Sequence, residues 1–237
     1  MSSKRFNLIL KNKIKPYNKV IKVDPDKSIS IRAFLIGAIS QNISHAKNIL
    51  ESEDVFSTIN CLKLLGVKII KKKAGEYLIF GKGLGSLTAK KNIQLNFGNS
   101  GTLARLLIGI LSTTKGIEIN LKGDRSLNKR SMKKLLELMS QFGASFLPNN
   151  KFKFPLKMIS TDYPIGIDYK AGVSAQLKSA VILAGLNSFG KTIITEYEKS
   201  RDHTENMLMS SKVVKIENRH KRIIHVLGKK NLNPINI

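Results

Sequence analysis

The chain has no tryptophan, a single cysteine, six prolines and only 16 acidic residues in 237. One cysteine cannot build a disulfide framework. Cys61 also stands outside any Cys/His spacing that holds zinc, so no metal site is predicted. The run Ile59-Asn60-Cys61-Leu62 follows an apolar helical pattern and makes Cys61 a core thiol. No stretch of about 18 apolar residues occurs, so no membrane span is predicted, and the first residues lack the apolar core of a secretory signal. A soluble protein of a reducing, cytoplasmic compartment is expected. Residues 1–22 are basic and acid-free, but Lys19-Val20-Ile21-Lys22-Val23 alternates as a strand does, and the segment is expected to be an N-terminal strand and linker.

The scarcity of acid is set against 41 Lys and Arg, which gives a net charge of +25. Nucleic-acid binding is the usual inference from such a balance. Yet the lysines are spread along the whole chain, the longest basic block is Lys71-Lys72-Lys73, and aromatics make up only 6%. No RNP-type, zinc-finger or Arg-rich motif is present. A lysine-rich solvated surface superimposed on a site for acidic substrates explains the same number. That is the preferred reading, with a basic nucleic-acid module as its rival.

What the chain does have is a repeated turn. Small polar residues lead into an apolar helix at Asp26-Lys27-Ser28-Ile29-Ser30-Ile31-Arg32, at Phe97-Gly98-Asn99-Ser100-Gly101-Thr102-Leu103-Ala104-Arg105, and at Ala171-Gly172-Val173-Ser174-Ala175-Gln176-Leu177-Lys178. Arg32, Arg105 and Lys178 are 73 residues apart in turn. Free N–H groups in a first helical turn, followed by a cation, attract anions. Each turn alone is also an ordinary Ser/Thr cap. Three in register suggest convergent helix starts around a small polyanionic ligand.

Apolar periodicity predicts helices over residues 28–40, 55–65, 102–111, 132–142 and 175–186, with another beginning near His203. Strands are expected over 45–50, 67–70, 77–80, 117–121, 144–146, 156–159, 192–196, 213–216 and 223–226. Turn, helix, strand, helix and further strands recur three times, which implies an α+β domain of threefold pseudo-symmetry with the helices packed together and the sheets outside. Gly81-Lys82-Gly83-Leu84-Gly85 resembles a phosphate loop, but no helix follows it, so it is read as a turn. Asp202-His203-Thr204-Glu205 is read as a capped helix start rather than a metal or acid/base site.

The three turns, together with Gly123-Asp124-Arg125-Ser126-Leu127-Asn128-Lys129-Arg130, Ser174-Ala175-Gln176-Leu177-Lys178-Ser179-Ala180 and Arg201-Asp202-His203-Thr204-Glu205-Asn206-Met207-Leu208, resemble the EPSP synthase family, the 3-phosphoshikimate 1-carboxyvinyltransferases of aromatic amino-acid synthesis. The resemblance runs from about residue 19 to 228. It implies βαβαββ units forming an inside-out α/β barrel domain over residues 23–228, with repeats of about 23–96, 97–169 and 170–228. Residues 229–237 would begin a crossover to a second domain, since the family's enzymes are nearly twice this long. The implied reaction moves the carboxyvinyl group of phosphoenolpyruvate to the 5-hydroxyl of shikimate 3-phosphate, with no cofactor and no metal.

By the same resemblance, Ser28, Arg32, Ser174, Ala175 and Arg201 match positions that hold shikimate 3-phosphate. Lys27, Gly101 and Arg130 match the phosphoenolpyruvate site, with Asn99 and Thr102 on the same turn, and Gln176 lies between the ligands. Lys27, Arg130 and Gln176 are transition-state contacts in this scheme, and no residue is a nucleophile. Gly101 is the position where glyphosate-tolerant members carry more bulk. The chain departs from the pattern at Asp24-Pro25-Asp26-Lys27, where Gly usually precedes the Asp, at Ile31, at Ser131, and at Met209-Ser210-Ser211-Lys212, which lacks the glycine that ends the matching helix elsewhere. The partners the resemblance implies are the two substrates, with a separately encoded second half where the chain is one part of a split enzyme. The related UDP-N-acetylglucosamine carboxyvinyltransferases fit less well, because their catalytic-loop cysteine has no counterpart here.

Overall fold

The computed structural model describes residues 23–218 and 220–237, and before them residues 7, 9, 11, 13, 16, 18, 20 and 21. The first unit runs α1 (Lys27–Ile39), β1 (Ile43–Ala46), α2 (Glu53–Leu64), β2 (Lys68–Lys73) and β3 (Glu76–Phe80). The second runs β4 (Gln94–Asn96), α3 (Gly101–Ser112), β5 (Glu118–Lys122), α4 (Arg125–Lys129), α5 (Lys133–Gln141), β6 (Ser145–Leu147) and β7 (Leu156–Ile159). The third comprises β8 (Asp168–Ala171), α6 (Ala175–Leu186), β9 (Lys191–Glu196), α7 (His203–Leu208), β10 (Val214–Asn218) and β11 (Arg222–Leu227).

The sheets repeat one order. In the second it is β4-β5-β7-β6 and in the third β8-β9-β11-β10, each with its first pair parallel and the rest antiparallel. The first sheet is β1-β3-β2, and its parallel partner comes from the far end of the chain. His45 N–H donates to the Ile235 carbonyl at 2.9 Å, Ile237 N–H to the His45 carbonyl at 3.0 Å, and Ile235 N–H to Ser44 Oγ at 3.0 Å. Residues 232–237 thereby cover the open side of β1 and satisfy its edge. The strand expected over residues 19–23 falls partly outside the described residues, at Lys19 and Lys22; Val20, Ile21 and Val23 belong to no strand and are exposed. The strand expected over 45–50 begins earlier and ends at Ala46, because Asn48 takes a positive φ of 52°.

The core is helical. From Ser30 to Ile39, α1 is buried on all sides; so are Lys178 to Leu186 of α6 and all of α3 except Arg105. A helix apolar all round has no solvent face to keep and goes to the centre. There α3 and α6 approach so closely that a Cβ on Gly109 would lie 2.6 Å from the Ala180 carbonyl oxygen. The first two units end their second helix on glycines in left-handed conformation, Gly66 at φ 83° and Gly143 at φ 106°; the third ends on Lys212 at φ 53°, so the cap survives without the glycine.

Glu51 locks the first sheet to the turn before α2. Its carboxylate accepts from Lys71 Nζ at 2.8 Å, Gly75 N–H at 2.9 Å and Tyr77 hydroxyl at 2.7 Å, and these donors pull its pKa from 4.5 to about 2. A depressed carboxyl pKa stabilises the fold above the unfolded value, and that contribution is lost as pH falls through the folded one. Glu51→Gln should therefore lower the Tm at pH 7. The gap to the wild type should close between pH 4.5 and about 2, in thermal scans at stepped pH. A gap independent of pH would contradict this.

Candidate functional site

Three helix starts are built alike. Asp26, Ser100 and Ser174 are the N-caps of α1, α3 and α6, and their side chains accept from the N–H of Ile29 (2.7 Å), Leu103 (3.2 Å) and Leu177 (3.4 Å). Successive caps are 74 residues apart, not 73. The evenly spaced cations consequently fall six, five and four residues after their caps. Each residue turns a helix by about 100°, so the three point in different directions. Even spacing in sequence did not mean equivalent positions in space.

The starts do converge. Gln176 Nε2, in the first turn of α6, donates to Thr102 Oγ1, in the first turn of α3, at 2.9 Å. Lys27 at the start of α1 reaches the same cleft, a cavity of about 320 Å³ whose other walls are Asn99, Gly101, Arg105 and Arg130, with Glu53 and Asp54 from the start of α2. Lys27 Nζ sits 3.0 Å from Asp54 Oδ2. Arg130 Nη2 donates to Asn99 Oδ1 at 2.8 Å, and Arg105 Nη1 to the Gly101 carbonyl at 3.0 Å. The two guanidinium groups face each other across Gly101, where a Cβ would lie 2.8 Å from Arg105 Nη1 and 3.3 Å from Arg130 Nη1. Burial lowers the Arg105 pKa, and the nearby charge of Arg130 lowers it further. Neither guanidinium makes an ion pair among the described residues. Three cations beside a helix N-terminus outnumber the two carboxylates in the cleft, of which Asp54 is taken by Lys27, and such an arrangement suits an anion.

A second pair of arginines lies off this cleft. Arg32 is 4% exposed, and its Nε, Nη2 and Nη1 donate to Thr204 Oγ1 (2.8 Å), Ser179 Oγ (3.0 Å) and the Ser28 carbonyl (3.0 Å). Burial lowers its pKa, the charges of Glu205 and Asp26 oppose that, and Arg201 adds to it. Arg201 itself is exposed on the loop between β9 and α7. Ser174 and Ala175 open α6, and Ser174 lines a neighbouring hollow of about 440 Å³ with Tyr169, Lys170 and Lys134. Of the residues marked from the sequence, Lys27, Asn99, Gly101, Thr102, Arg130 and Gln176 are gathered in one cleft, while Ser28, Arg32, Ser174, Ala175 and Arg201 lie outside its lining. Arg105, Glu53 and Asp54 line that cleft and were not among the marked site residues. Arg105 was visible only as one member of the evenly spaced series.

Other sequence features are resolved. Lys178 does not face a ligand: it is fully buried, 2.8 Å from Glu196 and 2.7 Å from Glu205. Asp202 is the N-cap of α7 but makes no side-chain cap; its carboxylate accepts from Asn206 at 3.1 Å and pairs with Lys199 at 3.1 Å instead. The Gly81-Lys82-Gly83 turn points its N–H groups at the carbonyls of Asn42, Ala38 and Ser40, so it closes the C-terminal end of α1 and cradles no phosphate. Lys82, Lys229 and Lys230 line a hollow of about 670 Å³ there, where cations suit helix C-termini. Cys61 is buried, and burial pushes its thiol up to about 12 against a hydrogen bond to the Asn96 carbonyl, so it is no nucleophile at neutral pH.

Fold and site together define an α+β protein that gathers helix N-termini, two arginines and a lysine around one cleft. The chain belongs to the EPSP synthase (3-phosphoshikimate 1-carboxyvinyltransferase) family, whose model matches residues 11–237. A 3-phosphoshikimate 1-carboxyvinyltransferase of Ruegeria sp. (strain TM1040) is 35% identical over 215 residues, which cover 90% of this chain and 47% of the relative. The one from Thermodesulfovibrio yellowstonii is 42% identical over 203 residues, 85% of this chain and 46% of the relative. The solved EPSP synthase of Acinetobacter baumannii superposes with a TM-score of 0.83 at 36% identity, covering 92% of this chain and 48% of that one. The chain thus spans about half the length of the relatives it matches. Among the described residues, no helix is long and apolar enough to cross a membrane.

Proposed function

We propose that this chain supplies the anion-holding half of an EPSP synthase, a cytoplasmic transferase that moves the carboxyvinyl group of phosphoenolpyruvate to the 5-hydroxyl of shikimate 3-phosphate and releases phosphate. The observation that carries this is the pair Arg105 and Arg130, brought together beside Gly101 at the start of α3. Lys27, Asn99, Gly101, Thr102 and Arg130 seat phosphoenolpyruvate in this reading, with Arg105 added to them. Ser28, Arg32, Ser174, Ala175 and Arg201 hold shikimate 3-phosphate, and Gln176, tied to Thr102, lies between the two. The separation of Arg105–Arg130 from Arg32–Arg201 supports two anion seats rather than one. Lys27, Arg130 and Gln176 stabilise charge as it develops, and no protein nucleophile or cofactor takes part.

Residues 23–228 act as one three-repeat domain in this reading, with 229–237 beginning the connection to a second after they have completed the first sheet. Closure of that second half over both anions excludes water and orders the reacting atoms. The 237 residues alone should bind shikimate 3-phosphate in the millimolar range and turn over nothing; adding the second half of a relative should restore turnover. Calorimetric titration and a phosphate-release assay test this. No saturable binding, or full turnover by the chain alone, would overturn it.

A further inference from the structure

Arg201 sits in an irregular, exposed loop, yet the residues on either side of it are tied into the interior. Behind the loop lies a closed ring of four charges from four elements. Lys178 of α6 bridges Glu196 and Glu205 at 2.8 and 2.7 Å, and Arg222 Nη1 of β11 bridges the same two carboxylates at 2.6 and 3.2 Å. The three side chains Lys178, Glu196 and Glu205 are 0% exposed, and Arg222 is 11% exposed. Cations and anions alternate round the ring, so neither carboxylate is left without a counter-charge.

Glu196 does one thing more than balance charge. Its Oε1 also accepts from Ser200 Oγ at 2.8 Å and from Ser200 N–H at 3.2 Å, which fastens the residue before Arg201 to the ring. Burial would raise the Glu196 pKa, but the bonds from Lys178, Ser200 and Arg222 outweigh it and hold the carboxylate charged, as a strong acceptor. On the other side of Arg201, Asp202 pairs with Lys199 at 3.1 Å and lies 3.8 Å from Arg222. Both neighbours of an exposed arginine are therefore held, and the second tie reaches the ring as well.

We propose that Ser200 is a positioning residue for Arg201: by hanging the loop from the buried Glu196 carboxylate, it sets the guanidinium toward Arg32 before ligand arrives. This rests on the reading of Arg201 as a shikimate 3-phosphate contact. Pre-organisation lowers the ordering cost of binding, so its loss weakens affinity without removing a ligand contact. Ser200→Ala is the mild test, because it deletes one hydroxyl and leaves all four charges of the ring in place.

The purified chain and its variants are titrated with shikimate 3-phosphate, and backbone 15N relaxation is recorded without ligand. Ser200→Ala is expected to weaken binding about 3- to 10-fold, to raise the mobility of the Arg201 amide, and to leave the Tm nearly unchanged, with Ser200→Thr restoring both affinity and order. Arg201→Ala is the control for the underlying reading. If it leaves affinity unchanged, the substrate reading of Arg201 fails and the proposal falls with it. If Arg201→Ala weakens binding while Ser200→Ala changes neither affinity nor Arg201 mobility, or Ser200→Thr rescues neither, the positioning role alone is overturned.

Discussion

Lys178→Met should be strongly destabilising, at about 3–5 kcal/mol in denaturant unfolding at pH 7. The methionine fits the space but leaves Glu205 paired only with Arg222 and takes from Glu196 one of its two cationic partners, all in a region closed to water. Glu205 already has one buried carboxylate oxygen, Oε2, with no hydrogen-bond partner among the described residues, so a lost cation is not replaced from there. A total stability of about 5–15 kcal/mol is usual for a domain, so the variant should be marginal at best. The double variant Lys178→Met, Glu205→Met should recover a large part of the loss, because one cation and one carboxylate leave together and Arg222 still covers Glu196. A cost below about 1 kcal/mol for the single variant would mean that the ring is open to solvent.

Arg130→Ala and Arg105→Ala should each weaken phosphoenolpyruvate binding about 10- to 100-fold, the equivalent of the roughly 1.5–3 kcal/mol that a hydrogen bond to a charged group contributes. Neither should cost stability in proportion, and Arg130→Ala should raise the Tm slightly, since it removes a charge that already disfavours the ionised form of Arg105. Opposite signs in affinity and stability separate a binding pair from a structural one. Gly101→Ala should act on the same seat from the backbone side, as its methyl group would press on both guanidinium nitrogens at 2.8 and 3.3 Å. Isothermal titration with parallel thermal scans reads all three. Loss of stability without loss of affinity would return the arginines to a packing role.

Much of this was legible in the sequence. The buried helices α1, α3 and α6 were visible because each carries an unbroken apolar run, over residues 33–39, 106–111 and 180–186, and Ala175–Leu186 matches the expected bounds. The caps at Asp26, Ser100 and Ser174 announced the helix starts that meet in the cleft. What stayed hidden has physical reasons. Strands β4 and β8 have three and four residues, too short for alternation to register, and they are held by parallel pairing to distant partners. The closing of the first sheet by Ile235 and Ile237 depends on a contact about 190 residues away in sequence, which no local pattern carries.

The charges misled most where they were most regular. Lys178 looked like the third member of an anion-binding series, but one residue of drift per repeat swung it into the interior against Glu196 and Glu205. Arg105 looked like its equal and does reach the cleft. Net charge could not separate the two. Among the described residues most lysines are exposed, as on strand β2, where Lys68, Lys71, Lys72 and Lys73 guard a sheet edge, and a solvated edge of this kind accounts for part of the +25 without any partner.

The most direct measurement is a 1H–15N titration of the chain with phosphoenolpyruvate, followed at every backbone amide and at the arginine Nε groups. Shifts should concentrate at Gly101, Thr102, Gln176 and the side chains of Arg105 and Arg130, and all should saturate with a single Kd. Shifts centred instead on Lys82, Lys229 and Lys230 at the opposite ends of the helices, or scattered over the lysines and abolished by moderate salt, would contradict a common seat built from three helix starts.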